Sequence, residues 1–413
     1  MTPSSHNSPA PANTAMTPVP HSSVLEVFLA FLKLGLTSFG GPVAHLGYFR
    51  TEFVERRKWL DDKNYSDLVA LCQFLPGPAS SQVGIALGLG RAGWFGSLAA
   101  WVAFTLPSAI ALILFALSVT QWSALADSGV LQGLKIAAVA VVAQAVWGMA
   151  RSLCPDLPRT GFAIAAALLV LLIPSTWGQL TAIIAGGLLG HRLLHLEQLP
   201  PGQSLHYPVS TPVALLLLAV FSLLLVALPW LAHVLASPLL EAISIFYQAG
   251  ALVFGGGHVV LPLLQAGVVP DGWISNDAFL AGYGATQAVP GPLFTFAAYL
   301  GAAMQAPFGG WAGGLTLLVA IFLPAWLLVV GTLPFWERMR RHDAIRQAMA
   351  GINAAVVGVL LAALYDPVWT SAIHSRADFA LALAAFGALV YMKMSPLAVV
   401  LLCAATGALA FGH

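Results

Sequence analysis

Charge is scarce in this chain. Of its 413 residues only 8% are Asp, Glu, Lys or Arg, whereas 59% are hydrophobic. An ordinary soluble domain carries about 25% charged residues. Apolar runs of membrane length recur from Val24 to Phe411,. This balance excludes a soluble enzyme and predicts an all-α polytopic membrane protein in contact with the lipid bilayer.

Cysteine and the common catalytic motifs are also scarce. Cys72, Cys154 and Cys403 lie far apart without a CxxC pair, which argues against a disulfide framework or a thiolate metal site,. The histidines show no metal-ligand spacing, and a P-loop, a zinc motif and a GxSxG elbow are missing,. We therefore expect no catalytic residues, no metal, no cofactor and no nucleic-acid partner.

The first 22 residues contain no Lys or Arg and are rich in Pro, Ser, Thr and Asn. A signal peptide would begin with a basic region. The composition instead predicts a disordered tail at residues 1–22.

The rest of the chain contains an internal repeat. Phe39-Gly40-Gly41 aligns with Phe254-Gly255-Gly256 at an offset of 215, and Pro76-Gly77-Pro78 aligns with Pro290-Gly291-Pro292 at 214. The segment that starts at Gly133 aligns with that starting at Gly351, at 218. So small a drift over some 120 positions indicates homologous halves. We predict repeats at 23–197 and 239–413, joined by a linker, 198–238, that contains one transmembrane helix.

The basic residues predict that the halves face opposite ways. The loop after the first break holds Arg50, Arg56, Arg57, Lys58 and Lys63, whereas its counterpart at 265–277 holds none. Later in the repeat the bias reverses, since Arg338, Arg340, Arg341 and Arg346 correspond to the segment 121–133, which contains no Lys or Arg. Under the positive-inside rule the repeats are inverted. Inverted repeats are typical of secondary transporters with a site near the bilayer midplane.

Each half is broken twice by Gly and Pro inside apolar runs. The breaks are "FGGP" at Phe39 and "PGP" at Pro76, then "FGGG" at Phe254 and "PGP" at Pro290. The same charge rule requires the chain to turn back at the PGP of Pro76 and in the FGGG segment, which gives about nine full crossings and four re-entrant or broken segments; Arg376 is the one clear exception to the rule.

Broken backbone at membrane depth predicts a central anion site. Such backbone is tolerated where it is buried in protein or lines a watery cavity. The half-helix that follows a break presents unpaired N–H groups and a positive dipole end, which bind anions. The alternative is simple close packing of helices through glycine. Hydroxyls and amides near the breaks suit an oxyanion, and no Asp or Glu lies in the middle of an apolar run; these polar residues are Thr37, Ser38, Gln73, Ser80, Ser81, Gln82, Thr286, Gln287 and Thr295.

Three basic side chains lie near the breaks. Lys33 is the only charge in its apolar run and aligns with Gln248. It could bind the anion or instead snorkel to the cytoplasmic interface. His45 and His258 each follow a glycine break and could bind the anion or carry a proton. For each histidine the alternative is a hydrogen-bonded residue within the helix bundle.

These motifs together resemble a known family. "FxxxGxxxFGGP", "RRKWL", "QFLPGP", "FGGGHVVLP" and "QAVPGP" look like the chromate ion transporter family in its long, two-domain form, over essentially the whole chain beyond the tail. The resemblance implies a bacterial inner-membrane protein that exports chromate, confers chromate resistance and is driven by the chemiosmotic gradient, as an antiporter or otherwise. A homodimer is left open.

We expect the substrate-binding residues to be those of the four breaks and their polar neighbours. These are Lys33, Ser38, Phe39, Gly40, Gly41, Pro42, His45, Gln73, Pro76, Gly77, Pro78, Ser80, Gly255, Gly256, Gly257, His258, Gln287, Pro290, Gly291, Pro292 and Thr295. Chromate and sulfate are both tetrahedral dianions, so the sequence leaves sulfate or another oxyanion open. It also leaves open an anion channel, a membrane-embedded enzyme acting on lipid phosphates, and a non-transporting structural protein.

Overall fold

The computed structural model describes residues 23–121, 129–173, 175–196, 207–254, 257–305, 308–339 and 342–410. The described residues are mostly helical and contain no strand. This confirms the predicted all-α polytopic membrane protein. The tail predicted at 1–22 lies outside the described residues.

The first half and the linker contain helices α1 to α8. Their bounds are α1 Val24–Thr37, α2 Gly41–Phe49 with a π-helical extension Arg50–Arg56, α3 Asp62–Phe74, α4 Ala79–Gln121, α5 Gly129–Leu153, α6 Leu157–Leu172, α7 Thr176–Leu193 and α8 Thr211–Leu235.

The second half repeats this order. Its helices are α9 Pro238–Leu252, α10 Val260–Val268 after a 3-10 turn Gly257–Val259, α11 Asn276–Thr286, α12 Phe296–Ala303 after a 3-10 turn Leu293–Thr295, α13 Gly310–Thr332, α14 Trp336–Met339, α15 Asp343–Ala363 with a π-helical end Leu364–Trp369, α16 Arg376–Val390 and α17 Pro396–Ala410.

Five of the described helices are long and apolar enough to cross a membrane. They lie at 79–118, 129–153, 211–235, 310–335 and 343–369. The linker helix α8 is the most exposed of them, because only 6% of its most apolar window is buried inside the protein. A helix that is apolar all round and faces outward is suited to lipid. The predicted total of about nine crossings stays a prediction.

The chain reverses direction at the first break. Arg57 Nη1 lies 3.4 Å from Glu26 Oε1, and Lys33 Nζ lies 3.2 Å from Glu52 Oε2. The first pair joins the start of α1 to the residue that follows the π-helical extension, and the second joins the later part of α1 to the beginning of that extension. The ring of Phe31 also contacts that of Phe53, with centroids 4.8 Å apart. The two arms are therefore antiparallel, and α1, at 14 residues, is about 21 Å long, short of the ~30 Å hydrocarbon core,.

The second break begins another reversal. The chain bends again at Ala92 and Gly93, where the backbone leaves helical geometry and Gly93 has a φ of 62°. The guanidinium of Arg91 lies 5.1 Å from the ring centroid of Trp59, next to the basic segment. The short arm of α4, residues 79–91, therefore ends close to the residues that precede α3. The longer arm, which follows Gly93, begins at the same place.

The second half contains the same reversals. A side-chain atom added at Gly267 in α10 would meet Ile245 in α9, so these helices fold back on one another. The N–H of Gln305 donates to the carbonyl of Trp273 at 3.4 Å. Gln305 and Trp273 align with Arg91 and Trp59, so a contact between equivalent positions, different in kind, closes the hairpin in each half.

The two halves interlock through glycine. Gly133 in α5 packs against the backbone of Cys403 in α17, and Gly351 in α15 packs against the backbone of Gly186 in α7. The two pairs are equivalent, since Gly133 of one half corresponds to Gly351 of the other, and Gly186 corresponds to Cys403. Because a Cβ at either Gly133 or Gly351 would overlap a carbonyl oxygen, only glycine allows this approach,.

The segment after α2 differs from the sequence-based expectation. We expected a basic loop from Arg50, but the helix continues to Arg56. Glu52 explains the continuation, since its carboxylate accepts from Arg56 at 3.2 Å and from Arg57 at 2.7 Å. Ion pairs one turn apart stabilise a helix. The expectation of a loop was therefore wrong for residues 50–56.

Candidate functional site

Two reciprocal hydrogen bonds join the four breaks in pairs. The N–H of Gly77 in the second break donates to the carbonyl of Val253 at 2.7 Å, beside the third break. The N–H of Gly291 in the fourth break donates to the carbonyl of Ser38 at 2.9 Å, in the first. Ser38 and Val253 occupy equivalent positions at the ends of α1 and α9. Each half therefore contributes its PGP turn to the other half's glycine break.

The PGP glycines adopt a conformation that other residues avoid. Gly77 has a φ of 115° and Gly291 a φ of 97°. A Cβ at Gly77 would lie 3.2 Å from Cβ of Ala325, and one at Gly291 would lie 2.9 Å from Oγ of Ser108. Ala325 and Ser108 are again equivalent positions, each following a proline in a long helix. Both the left-handed backbone and the close approach require glycine.

Further contacts bring the pairs of breaks together. Nδ1 of His45, in α2, lies 3.3 Å from Oγ of Ser80, in the first turn of α4. A Cβ at Gly257 would lie 3.7 Å from Cγ of Pro42. His45 and Ser80 are both buried. The first break is therefore in contact with the second, the third and the fourth.

Buried polar atoms without a hydrogen-bond partner among the described residues are concentrated around these breaks. Native proteins leave few such groups unbonded, so these groups make the region around the breaks the candidate site. Six of the eleven such atoms are Ser38 Oγ, His45 Nε2, Ser81 Oγ, Gln82 Oε1, Thr105 Oγ1 and Gln287 Nε2; the other five belong to Trp101, Gln179, Gln265, Trp336 and Asn353.

Two of the elements that begin at the breaks lack a side-chain cap, a feature that they share with α8, α13 and α15. Helices α1, α3, α9 and α11 begin with a Ser or Asp side chain that accepts from the first turn. By contrast, α2 follows Gly40 and the turn 293–295 follows Pro292, neither with a side-chain cap. Their first N–H groups are left for another acceptor. This is the arrangement that favours an anion.

His258 lies beside the third break with a partner that the sequence did not single out. Its Nδ1 lies 2.6 Å from the hydroxyl of Tyr283 in α11. Tyr283 is fully buried. It stands in an ordinary apolar stretch of α11, and only the folded-back arrangement places it next to His258. Thr105 and Ser108 were missed for the same reason.

Lys33 belongs to a charged cluster. Its ammonium pairs with Glu52, the side chain of Lys33 is 51% exposed, and Glu52 also binds Arg56 and Arg57. Its described polar partner is thus a carboxylate on the arm that follows the first break. This favours the interpretation in which Lys33 snorkels to the interface over the one in which it binds the anion.

The remaining predicted residues are distributed as follows. Thr295 is buried and its hydroxyl donates to the carbonyl of Pro292 at 2.7 Å. Gln73 is exposed in the last turn of α3. Gly255 and Gly256 lie outside the described residues. Phe39, Gly41, Pro76, Pro78 and Pro290 lie within the breaks themselves. No three His, Cys, Asp or Glu side chains in the described part of the chain are placed to hold a metal ion.

Comparison with known proteins gives the family. The family model described as "Chromate transporter" matches the chain twice, over residues 25–191 and 240–408. This chain belongs to the chromate transporter family. The resemblance drawn from the sequence motifs is thereby confirmed, and the family is one of transporters, not of enzymes. The two matches fall within the predicted repeats.

Members of the family align with most of the chain. A "Chromate transport protein" of Pseudomonas aeruginosa is 29% identical over 86% of this chain and 83% of its own length. One of Cupriavidus metallidurans is 27% identical over 87% of each. A "Probable chromate transport protein" of Synechococcus elongatus is 27% identical over 84% of each. No solved structure matches the chain.

Proposed function

We propose that this protein is a secondary active transporter that exports chromate across the bacterial inner membrane and thereby confers chromate resistance. The two named relatives from Pseudomonas aeruginosa and Cupriavidus metallidurans are chromate transport proteins. Export is powered by the chemiosmotic gradient. The site is the meeting point of the four breaks.

The observation that carries this proposal is the pair of bonds from Gly77 to Val253 and from Gly291 to Ser38. They draw the ends of four half-helices to one place. A tetrahedral oxyanion there meets N–H groups at the positive ends of helix dipoles. The unpartnered groups of Ser38, His45 and Ser81 add further polar atoms. Neutral donors bind the anion and also release it, which a transporter requires.

Alternating access follows from the exchange of equivalent contacts. If the halves are inverted, each half can adopt the conformation of the other, and the exchange would open the site to the opposite side of the membrane. The reciprocal bonds and the Gly133–Cys403 and Gly351–Gly186 packings support such equivalence.

Flux of radiolabelled chromate in inverted membrane vesicles tests the proposal. We expect energised vesicles to accumulate chromate above the outside concentration, and we expect dissipation of the gradient to abolish accumulation. Equilibration without accumulation would instead indicate an anion channel. Sulfate serves as competitor, and labelled sulfate accumulation without chromate accumulation would assign the protein to a different oxyanion. Vesicles without the protein are the control.

A further inference from the structure

The equivalent helices α3 and α11 have different surroundings. Each precedes a PGP break, and the alignment of the halves pairs Lys63 with Asp277 and Ala70 with Gly284. Gly284 is buried, and a Cβ there would overlap the carbonyl oxygen of Leu134 in α5. Ala70 is exposed. Helix α11 therefore packs against α5, whereas the matching face of α3 is uncovered.

The uncovered face of α3 is a polar stripe. Lys63, Ser66, Ala70 and Gln73 recur every three or four residues, so they lie on one side of the helix. All four are exposed. By contrast, Leu280, the equivalent of Ser66 in α11, is completely buried. Because polar and charged side chains at membrane depth face protein or a water-filled cavity and not lipid, this stripe is suited to an aqueous opening.

An ion pair joins α11 to α5. Nζ of Lys135 lies 3.0 Å from Oδ1 of Asp277, and the side chain of Lys135 is only 11% exposed. The equivalents of these two residues are Asn353 in α15 and Lys63 in α3. Since Asn353 is neutral, the equivalent pair cannot be an ion pair; an ammonium could only donate a hydrogen bond to the amide oxygen.

A second polar contact differs between the halves in the same way. Nδ2 of Asn276, at the start of α11, donates at 2.5 Å to Oγ of Ser371, which follows the π-helical end of α15. Asp62 is the equivalent of Asn276, but it binds Arg50 of its own hairpin at 2.7 Å. The hairpin of the second half is thus bonded to α5 and to the end of α15, whereas these residues of the first-half hairpin bond within it.

We propose that Lys135 and Asp277 form a lock that closes the extracytoplasmic entrance to the site, and that α3 packs against α15 in the opposite conformation, when the lock is open. The inference rests on the proposed function, since it requires inverted halves that exchange conformations. The positive-inside rule assigns the loop before Asp277 to the exterior. The conformation described here is then open to the cytoplasm, along the polar stripe of α3.

The lock favours one conformation because it exists in only one of them. An interaction made in a single state shifts the equilibrium towards that state. In the opposite conformation the equivalent contact is between Lys63 and Asn353, without an ion pair. Ser66 also buries less apolar surface there than Leu280 does here. We therefore expect the cytoplasm-open conformation to predominate at rest.

Disulfide cross-linking between α3 and α15 measures the population of the opposite conformation. Lys63→Cys and Asn353→Cys are introduced together into the full chain without its native cysteines, and disulfide formation in membrane vesicles is followed over time. Lys135→Asn then removes the lock and reproduces the residue of the other half. We expect it to raise the rate of cross-linking at least about threefold, because the opposite conformation becomes more populated. The variant Lys135→Glu/Asp277→Lys restores the ion pair with the charges exchanged and should return the rate to its original value.

Two cysteine pairs serve as controls. Leu361→Cys replaces Asn353→Cys in the first, because Leu361 is exposed and lies about 12 Å further along α15,. It should not cross-link to Lys63→Cys with the lock or without it. Lys135→Cys with Asp277→Cys is the positive control, since these side chains are in contact.

The outcomes separate this inference from the proposed function. If Lys135→Asn fails to insert, Asp277→Asn removes the same pair and should give the same rise. An unchanged rate without the lock, or no cross-link from α3 to α15 in any variant, would overturn the inference even where the vesicles accumulate chromate. Lock-dependent cross-linking without chromate flux would instead overturn the proposed function and leave the lock in place.

Discussion

At the scale of single residues, the two PGP glycines are the most constrained positions of the site. Gly77→Ala and Gly291→Ala each add a methyl group against a packed neighbour and force a left-handed backbone on alanine, at a cost of about 1–2 kcal/mol,. The turn must shift, and so must the N–H that bonds the opposite half. We expect chromate flux to fall at least about tenfold in each variant, since misplaced binding groups cost catalysis and transport steeply.

Gly47→Ala is the control for these two variants. Gly47 lies in α2, has no atom near its Cβ position and has an ordinary helical backbone. Alanine there stabilises a helix by up to about 1 kcal/mol, so flux should be unchanged. Normal insertion is checked by size-exclusion chromatography. Wild-type flux in both PGP variants would contradict the role of the breaks.

Replacement of Lys33 should have little effect, in contrast to the two PGP glycines. Because its ammonium is bound to Glu52 and half of its side chain is exposed, neutralisation should hardly affect the site. In the variant the buried carboxylate of Glu52 keeps its pairs with Arg56 and Arg57. We expect Lys33→Gln to change the KM for chromate by less than about threefold. A tenfold rise in KM, measured in the same vesicles, would restore Lys33 as a substrate ligand.

At the scale of helices, the crossings between halves depend on glycine. Gly351→Ala should overlap the backbone of Gly186 and separate α15 from α7, with a destabilisation of about 1–3 kcal/mol,. We expect a lower Tm in detergent, followed by tryptophan fluorescence. Gly148→Ala, in α5, has open space at its Cβ position and should leave Tm unchanged. Equal Tm values for the two variants would contradict the packing.

Sequence patterns predicted the positions of the breaks but not their partners. Adjacent Gly and Pro interrupt a helix through their own backbone preferences, so Gly40 and Gly77 could be recognised locally. The bond from Gly77 to Val253 joins residues far apart in the chain, and only the folded arrangement supplies it. The repeat alignment narrowed the choice, because it paired each break with an equivalent.

Charged residues were predicted less well than the breaks. The basic segment after α2 was interpreted as a loop because its charges interrupt an apolar pattern, yet Glu52 neutralises Arg56 and Arg57 along a helix. Lys135 was not singled out, although it pairs with Asp277 of the other half at 3.0 Å and its side chain is only 11% exposed. Burial and pairing depend on tertiary structure, which local composition does not report.

At the scale of the whole molecule, the proposed inverted orientation of the halves can be tested directly. Single cysteines at Lys63 and at Asp271 lie in equivalent hairpins, so inversion places them on opposite sides of the membrane. The background is a variant without Cys72, Cys154 and Cys403. A membrane-impermeant maleimide should label Lys63→Cys only in inverted vesicles and Asp271→Cys only in right-side-out vesicles. Labelling of both from one side would contradict the inversion.

The central claim is that one oxyanion is held where the four breaks meet. Anomalous diffraction at the chromium absorption edge, from crystals of the full chain grown with chromate, locates the metal atom of the anion directly. We expect a single strong peak bounded by Ser38, His45, Ser81 and the PGP turn at Gly77. A peak in the charged cluster of Lys33 and Glu52, or no peak at the breaks at saturating chromate, would contradict it.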